Sequence, residues 1–270
     1  VILPPAACKT ASGQLSYVLD KIESVRKTCD KLVADLCRDI GPTTESCKLV
    51  QTQTKSFSPE RCSAAMEHYS DVLADLKKME LANKPLTAAQ QKQLVAGKPP
   101  AFGPTNAKVT VVEFADFQCP FSVRAAKVVT DLKNKYGTKV RFVFRQFPLK
   151  FHANAHQAAE AALAAHAQGK FWEFHDKLFA WGTSSTPTPD LSREALDKYA
   201  AQVGLDLARF KKALDSNESA TKVDADIKLG SDVAVQGTPT MLINGKRVSN
   251  ATDYEAVSKA IDDALGNSGK

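Results

Sequence analysis

The sequence predicts an α/β domain whose sheet is interrupted by a helical insertion, preceded by a small all-α, cysteine-rich N-terminal region. A nearly all-apolar run from Val109 to Phe117 is followed by a helical pattern from Cys119 to about Tyr136, then by a second apolar run from Val140 to Phe147. Strand–helix–strand at this length is a parallel βαβ unit, right-handed by default. Residues 152–235 then read as helical throughout, and strand signals return only at Thr240 to Ile243. Five of the six cysteines fall within the first 62 residues.

The elements follow in order. Residues 14–40 carry an apolar stripe in steps of three and four, including Leu15, Leu19, Ile22, Cys29, Leu32, Leu36 and Cys37, which puts both cysteines on the buried face of a helix. Gly41-Pro42 stops it. A short helix from Thr44 carries Cys47. Ser58-Pro59-Glu60 opens a third helix, with Ser58 as N-cap and Pro59 in the first turn. Residues 83–107 read as a short helix and a linker, ending in Gly97-Lys98-Pro99-Pro100 and Gly103-Pro104. After the βαβ unit, helices are expected at His152–Gln168, Phe171–Ala180 and near 191–203, 207–215 and 218–234, with a loop from Thr183 to Pro189. Asn244-Gly245 is a two-residue hairpin turn into Lys246–Ser249, and a last helix runs from about Asp253 to Leu265. The expected division is 1–82 helical and cysteine-rich, 83–107 linker, and 108–268 the α/β domain with its insertion at about 152–235.

Composition narrows the function. The chain of 270 residues is 43% hydrophobic and 24% charged, with a formal charge of +6 and no dense Lys/Arg run, which argues against nucleic-acid binding. No apolar run approaches the ~20 residues needed to span a bilayer. The start lacks a basic n-region and a full h-region, so no intact signal peptide is expected. Leu-Pro-Pro-Ala-Ala-Cys8 resembles a lipobox, which would make Cys8 a lipid anchor; the alternative is an ordinary cysteine near a cleaved terminus.

Cys8, Cys29, Cys37, Cys47 and Cys62 are separated by 20, 7, 9 and 14 residues. Zinc would want closer pairs, so structural disulfides and an oxidising compartment are expected. The Gly41-Pro42 turn would bring Cys37 and Cys47 together, leaving Cys29 to reach Cys62; four cysteines allow three connectivities, and spacing leaves the choice open.

The chemistry centres on Cys119-Pro120-Phe121-Ser122, a Cys-x-x-Cys pattern whose second cysteine is serine. Cys119 follows a buried strand and opens a helix, where unpaired N–H groups and the helix dipole favour thiolate, the species that attacks disulfides. Pro120 suits the first turn. Gly237-Thr238-Pro239-Thr240 stands at the entrance to a strand; a cis proline there would face the sulfur and leave the Thr238 backbone to pair with an extended substrate. His152, His156 and Glu160 share a helix face, but no further ligands accompany them, so no metal is expected. No cofactor is expected either. The Phe171, Trp172, Phe174, Phe179, Trp181 cluster reads as core of the insertion.

Phe117-Gln118-Cys119-Pro120-Phe121, the segment Phe151-His152-Ala153-Asn154-Ala155-His156 and Gly237-Thr238-Pro239-Thr240 together resemble the DsbA-like thiol–disulfide oxidoreductases over about residues 102–266. The resemblance implies a thioredoxin-like fold with an inserted helical domain, Cys119 as nucleophile, and Pro239 as the cis proline of the groove. Pro120, Phe121 and Thr238 would contact substrate. Glu113, six residues before Cys119, occupies the spacing of a buried glutamate that assists proton movement in that family. The implied partners are protein thiols and disulfides of the periplasm or cell envelope, together with a membrane redox partner. The N-terminal helices could mediate a homodimer.

Ser122 departs from the family pattern. Serine cannot form or receive a disulfide, so the chain should stall with Cys119 joined to a partner. Three readings follow: a Cys-to-Ser variant that traps mixed disulfides, a natural glutathione-linked monothiol enzyme, or a redox-inactive peptide-binding, chaperone-like module.

Overall fold

The computed structural model describes residues 26–183 and 189–266. The expectation of a lipid anchor at Cys8, and the start of the first helical stripe, lie outside the described residues. The chain divides into two compact units at Asn83 and Lys84.

The first unit is helical. Helix α1 covers residues 26–40, followed by α2 (Glu45–Gln53), a 3-10 turn at Thr54–Ser56, α3 (Pro59–Glu67) and α4 (Tyr69–Asn83). Thr44 and Ser58 cap α2 and α3 by accepting from the N–H groups of Cys47 and Arg61. The sequence reads a single helix onward from Ser58, but the structure breaks it at His68. Leu32, Leu36, Val50 and Leu76 form the core with Cys29 and Cys62. The disulfides are Cys29–Cys62 and Cys37–Cys47, with Cα separations of 5.2 and 4.9 Å. Helices this short bury too little on their own, and covalent closure offsets part of their ordering entropy.

The second unit is the thioredoxin-like fold. Its five-stranded sheet has the order β1-β3-β2-β4-β5, built from β1 (Ala101–Phe102), β2 (Val109–Ala115), β3 (Val140–Gln146), β4 (Thr240–Ile243) and β5 (Lys246–Arg247). β2 and β3 are parallel, joined by α6 (Pro120–Tyr136); β1, β4 and β5 pair antiparallel. Both central strands are buried on both faces, which explains their continuous apolar sequence. Helix α12 (Tyr254–Leu265) and α6 cover one face through Val128, Leu132, Val257 and Ile261.

Residues 83–107, read from the sequence as a short helix followed by a linker, carry that helix and also a strand. Helix α5 (Ala88–Val95) starts with a complete capping box at Thr87 and Gln90, and buries Leu94 against Val112, Phe114 and Leu242. Strand β1 joins the sheet at β3. Arg145 holds α5 in place, donating to the carbonyls of Leu94 (2.9 Å), Gln93 (3.2 Å) and Ala96 (2.6 Å). These carbonyls lie at the C-terminal end of the helix, where intrahelical donors run out; that of Gln93 also accepts the Ala96 N–H at 3.2 Å.

The insertion comprises α7 (Ala155–His166), α8 (Phe171–Phe179), α9 (Arg193–Gln202), α10 (Leu207–Asp215) and α11 (Glu218–Asp232). Its alanine-rich α7 lets neighbouring helices approach closely. Phe171, Phe174 and Phe179 pack with Phe117 and Phe144 of the sheet region, so the aromatic cluster joins insertion to sheet. Helix α7 starts at Ala155 instead of His152, because the His152 ring is bound elsewhere, as described below.

Candidate active site

β2 ends at Ala115, and four residues later Cys119 is the N-cap of the 17-residue helix α6, in extended backbone geometry (φ −80°, ψ 122°) with Pro120 in the first turn. The Cys119 N–H donates to the Asp116 carbonyl (3.1 Å), which closes the turn. The side chain makes no capping bond. Instead, Sγ donates to the Thr238 carbonyl oxygen at 3.3 Å, and Cys119 is only 3% exposed. It is the free cysteine of the described residues.

Thr238 arrives there because β4 runs antiparallel to β2 with Thr240 opposite Phe114, so the residues preceding β4 meet the end of β2. The Thr238–Pro239 peptide is cis. The Thr240 hydroxyl donates to the Gly237 carbonyl (2.8 Å) and fixes the bend. Cys119, Thr238 and Pro239, which the sequence singled out separately, are thus brought together.

Ser122 is fully buried. Its Oγ accepts a hydrogen bond from the Asp116 N–H at 3.3 Å. The partner of this hydroxyl is thus the backbone of the turn.

Glu113 lies mid-strand in β2, opposite Phe144 and Met241. Burial raises its pKa to about 7, opposed by the charge of Lys133. Its Oε1 has no hydrogen-bond partner among the described residues. Lys133 is itself depressed to about 8 by burial, against the pull of Asp176 and Glu113. Its Nζ sits 3.0 Å from the Trp172 ring centroid.

Asp116 was missed by sequence reasoning. Its carboxylate is completely buried and accepts from the N–H of Gln118 (2.7 Å), the N–H of Leu149 (2.8 Å) and His152 Nδ1 (2.8 Å). The available signal was an acidic residue three positions before the cysteine, in a stretch otherwise apolar on the strand side. His152 precedes α7 and is held on Asp116, whereas His156 pairs with Glu160 (2.8 Å) and Asp224 (3.2 Å). The structure therefore does not place His152, His156 and Glu160 on one ligand face; among the described residues no group of such side chains could hold a metal ion. Phe121 and Phe151, about half and three-quarters exposed, stand out as surface aromatics; Arg124 lies over the Phe121 ring at 4.5 Å. No helix of the described residues is long and apolar enough to cross a membrane.

A family model described as Thioredoxin matches residues 95–263. The chain belongs to the thioredoxin family. Among solved structures, the thioredoxin unit is similar to BdbD from Bacillus subtilis, with 28% identity and a TM-score of 0.56 over 62% of this chain and 93% of that one. A thioredoxin-like oxidoreductase from Silicibacter pomeroyi gives 26% identity and a TM-score of 0.57 over 67% and 99%. The thiol–disulfide exchange protein alpha-DsbA2 from Wolbachia pipientis, at 23% identity and a TM-score of 0.57 over 65% and 92%, shares the fold. These neighbours bear out the DsbA-like resemblance carried by the motifs. A curated relative, the Na(+)/H(+) antiporter NhaA 3 of Salinispora tropica, is 42% identical over 61% of this chain and 24% of its own length. The chain spans about a quarter of the length of the curated relatives it matches, so their antiporter naming belongs to those longer proteins.

Proposed function

We propose that this chain is a protein thiol–disulfide oxidoreductase of the bacterial cell envelope with Cys119 as its nucleophile, in which Ser122 stands in the place of the resolving cysteine so that mixed disulfides are trapped. The observation that carries the reading is the Cys119 sulfur at the N-terminus of α6, 3.3 Å from the carbonyl of Thr238 and beside cis-Pro239. A helix N-terminus stabilises the thiolate, and an extended substrate can add to the Thr238 backbone edge. Pro120, Phe121 and Pro239 border that edge, and Glu113 moves protons beneath it. Two disulfides in the first unit fit an oxidising compartment.

The reaction begins when the Cys119 thiolate attacks a substrate disulfide. An S–S bond forms between Cys119 and one half of the substrate, and the other half leaves as thiolate. In a dithiol enzyme a second cysteine then attacks the Cys119 sulfur. Ser122 has no sulfur, so the mixed disulfide persists until an external thiol such as glutathione cleaves it. That consequence is the same for a Cys-to-Ser variant and for a natural serine.

The test is insulin reduction by this chain and by Ser122→Cys, with mass spectrometry under non-reducing conditions. The reading expects an adduct on Cys119 in the unaltered chain and catalytic turnover with the cysteine in place. Turnover by the unaltered chain that depends on glutathione favours the monothiol enzyme. No adduct and no turnover in either protein overturns the oxidoreductase reading in favour of a peptide-binding module.

A further inference from the structure

We infer that His152, oriented by the buried carboxylate of Asp116, is the acid–base group of thiol exchange at Cys119. The inference rests on the reading of Cys119 as the nucleophile, and the observations behind it are independent of that reading. Asp116 binds the imidazole through Nδ1 at 2.8 Å, with the carboxylate fully buried and the ring 17% exposed. A carboxylate that accepts from Nδ1–H fixes the tautomer and leaves Nε2 to exchange protons. No partner for Nε2 occurs among the described residues. The same Asp116 receives the Cys119 N–H on its backbone carbonyl and gives its own N–H to Ser122. The ring and the Cys119 backbone are therefore both fastened to one residue, and the ring stands at the solvent edge of that attachment.

A merely structural histidine does not need this arrangement. The loop before α7 is already anchored by the Leu149 N–H on Asp116 and by the Asn154 N–H on Gln118 Oε1. Glu113 is buried mid-strand in β2, so a thiol arriving from outside still needs a proton-handling group at the solvent edge. In the first exchange, Cys119 Sγ bonds to one substrate sulfur, the substrate S–S bond breaks, and its electron pair stays on the departing sulfur. His152 Nε2–H gives that thiolate its proton, which leaves the ring neutral with its remaining proton on Nδ1 against Asp116. In the second exchange Nε2 takes the proton of the incoming thiol, whose sulfur attacks the mixed disulfide and releases Cys119 as thiolate. With Ser122 in place of a second cysteine, every turnover passes through this external thiol.

The discriminating experiment compares two disulfide probes on the full chain and on His152→Asn, which keeps an N–H where Nδ1 donates to Asp116. Oxidised glutathione releases an alkyl thiolate that needs a proton; an aryl disulfide releases thionitrobenzoate, which does not. The expected result is a loss of about 100-fold in the rate of Cys119 adduct formation with oxidised glutathione, the scale of general acid catalysis. The rate with the aryl disulfide stays within about threefold, a level set by ordinary mutational scatter. Equal slowing with both probes, or none with either, overturns the inference and leaves His152 structural. If the unaltered chain reacts with neither probe, it is the reading of Cys119 that fails. Should His152→Asn lose its cooperative melt, His152→Ala is measured with added free imidazole, and restoration of the oxidised-glutathione rate alone supports the same role.

Discussion

The Cys119 sulfur and the Thr238 carbonyl oxygen lie 3.3 Å apart across 119 residues of sequence. The contact exists because β4 is hydrogen-bonded to β2, so the start of one strand is delivered to the end of the other. It also buries the thiol without placing it in a disulfide. Titration of denatured protein with a thiol reagent should therefore show Cys119→Ala losing one equivalent relative to the parent, since the other described cysteines are paired. An unchanged count would mean that Cys119 is already oxidised or bonded.

Ser122 holds the same turn from the other side. Replacing it with alanine leaves the buried Asp116 N–H without its acceptor, at a cost of about 1–3 kcal/mol. Both tryptophans of the chain, Trp172 and Trp181, belong to this unit, so fluorescence-monitored urea unfolding reads the change directly. An alanine variant as stable as the parent would show that the hydroxyl contributes nothing at that position.

Arg145 and Asp226 form a buried pair, Nη1 to Oδ1 2.7 Å, and Asp226 also accepts the Gln146 N–H at 3.0 Å. Burial raises the Asp226 pKa, against the opposing charge of Arg145. Arg145→Met should cost about 3–5 kcal/mol, because it leaves an uncompensated carboxylate and frees three carbonyls at the end of α5. Adding Asp226→Asn should recover part of that loss in a double-mutant cycle. Strictly additive effects would show the two groups to be uncoupled.

Some of this site was legible in the sequence and some was not, for identifiable reasons. Cys119 and Pro239 announce themselves locally: one by a proline and a helix pattern after a buried strand, the other by a proline at a strand start. Glu113 is legible as a charge within an apolar run. Asp116 and His152 are not, because their meaning is a contact across 36 residues that only the parallel pairing of β2 and β3 creates. Strand β1 hides for a similar reason. It has two residues between Pro100 and Gly103, too few for an alternation pattern, and owes its existence to the free edge of β3. The linker composition of 83–107 is real, yet Arg145 pins the segment from outside it and Leu94 buries it against Val112, Phe114 and Leu242.

The two disulfides of the first unit should differ in worth. Cys29–Cys62 closes a separation of 33 residues and Cys37–Cys47 one of 10. Chain-entropy scaling gives about 4 and about 3 kcal/mol respectively. Cys29→Ala/Cys62→Ala should thus loosen α1 to α4 more than Cys37→Ala/Cys47→Ala, as read by amide hydrogen exchange in those helices. Tryptophan fluorescence, confined to the other unit, is the wrong probe here. A reversed order would mean that native-state packing around Cys47, rather than loop closure, sets the balance.

Glu113 and Lys133 make opposite contributions to stability as pH changes. Burial raises the Glu113 pKa from 4.5 to about 7, so between those values the folded state holds a proton that the unfolded state has lost. Stability attributable to Glu113 therefore falls as pH rises from about 4.5 to about 7 and is flat beyond, a loss on the order of 3 kcal/mol. Lys133, depressed from 10.5 to about 8, binds fewer protons folded than unfolded within that window, so its contribution rises with pH there. The two windows do not overlap, which puts the least favourable combination between about pH 7 and 8. Urea unfolding followed by tryptophan fluorescence from pH 4 to 10 should show the falling limb in the parent and a much shallower one in Glu113→Gln, where only groups such as the raised Asp226 still contribute. The rising alkaline limb should survive, because no charge on residue 113 is needed for Lys133 to be desolvated. If Glu113→Gln retains the acid-side slope, the slope belongs to another carboxyl and Glu113 is ionised throughout.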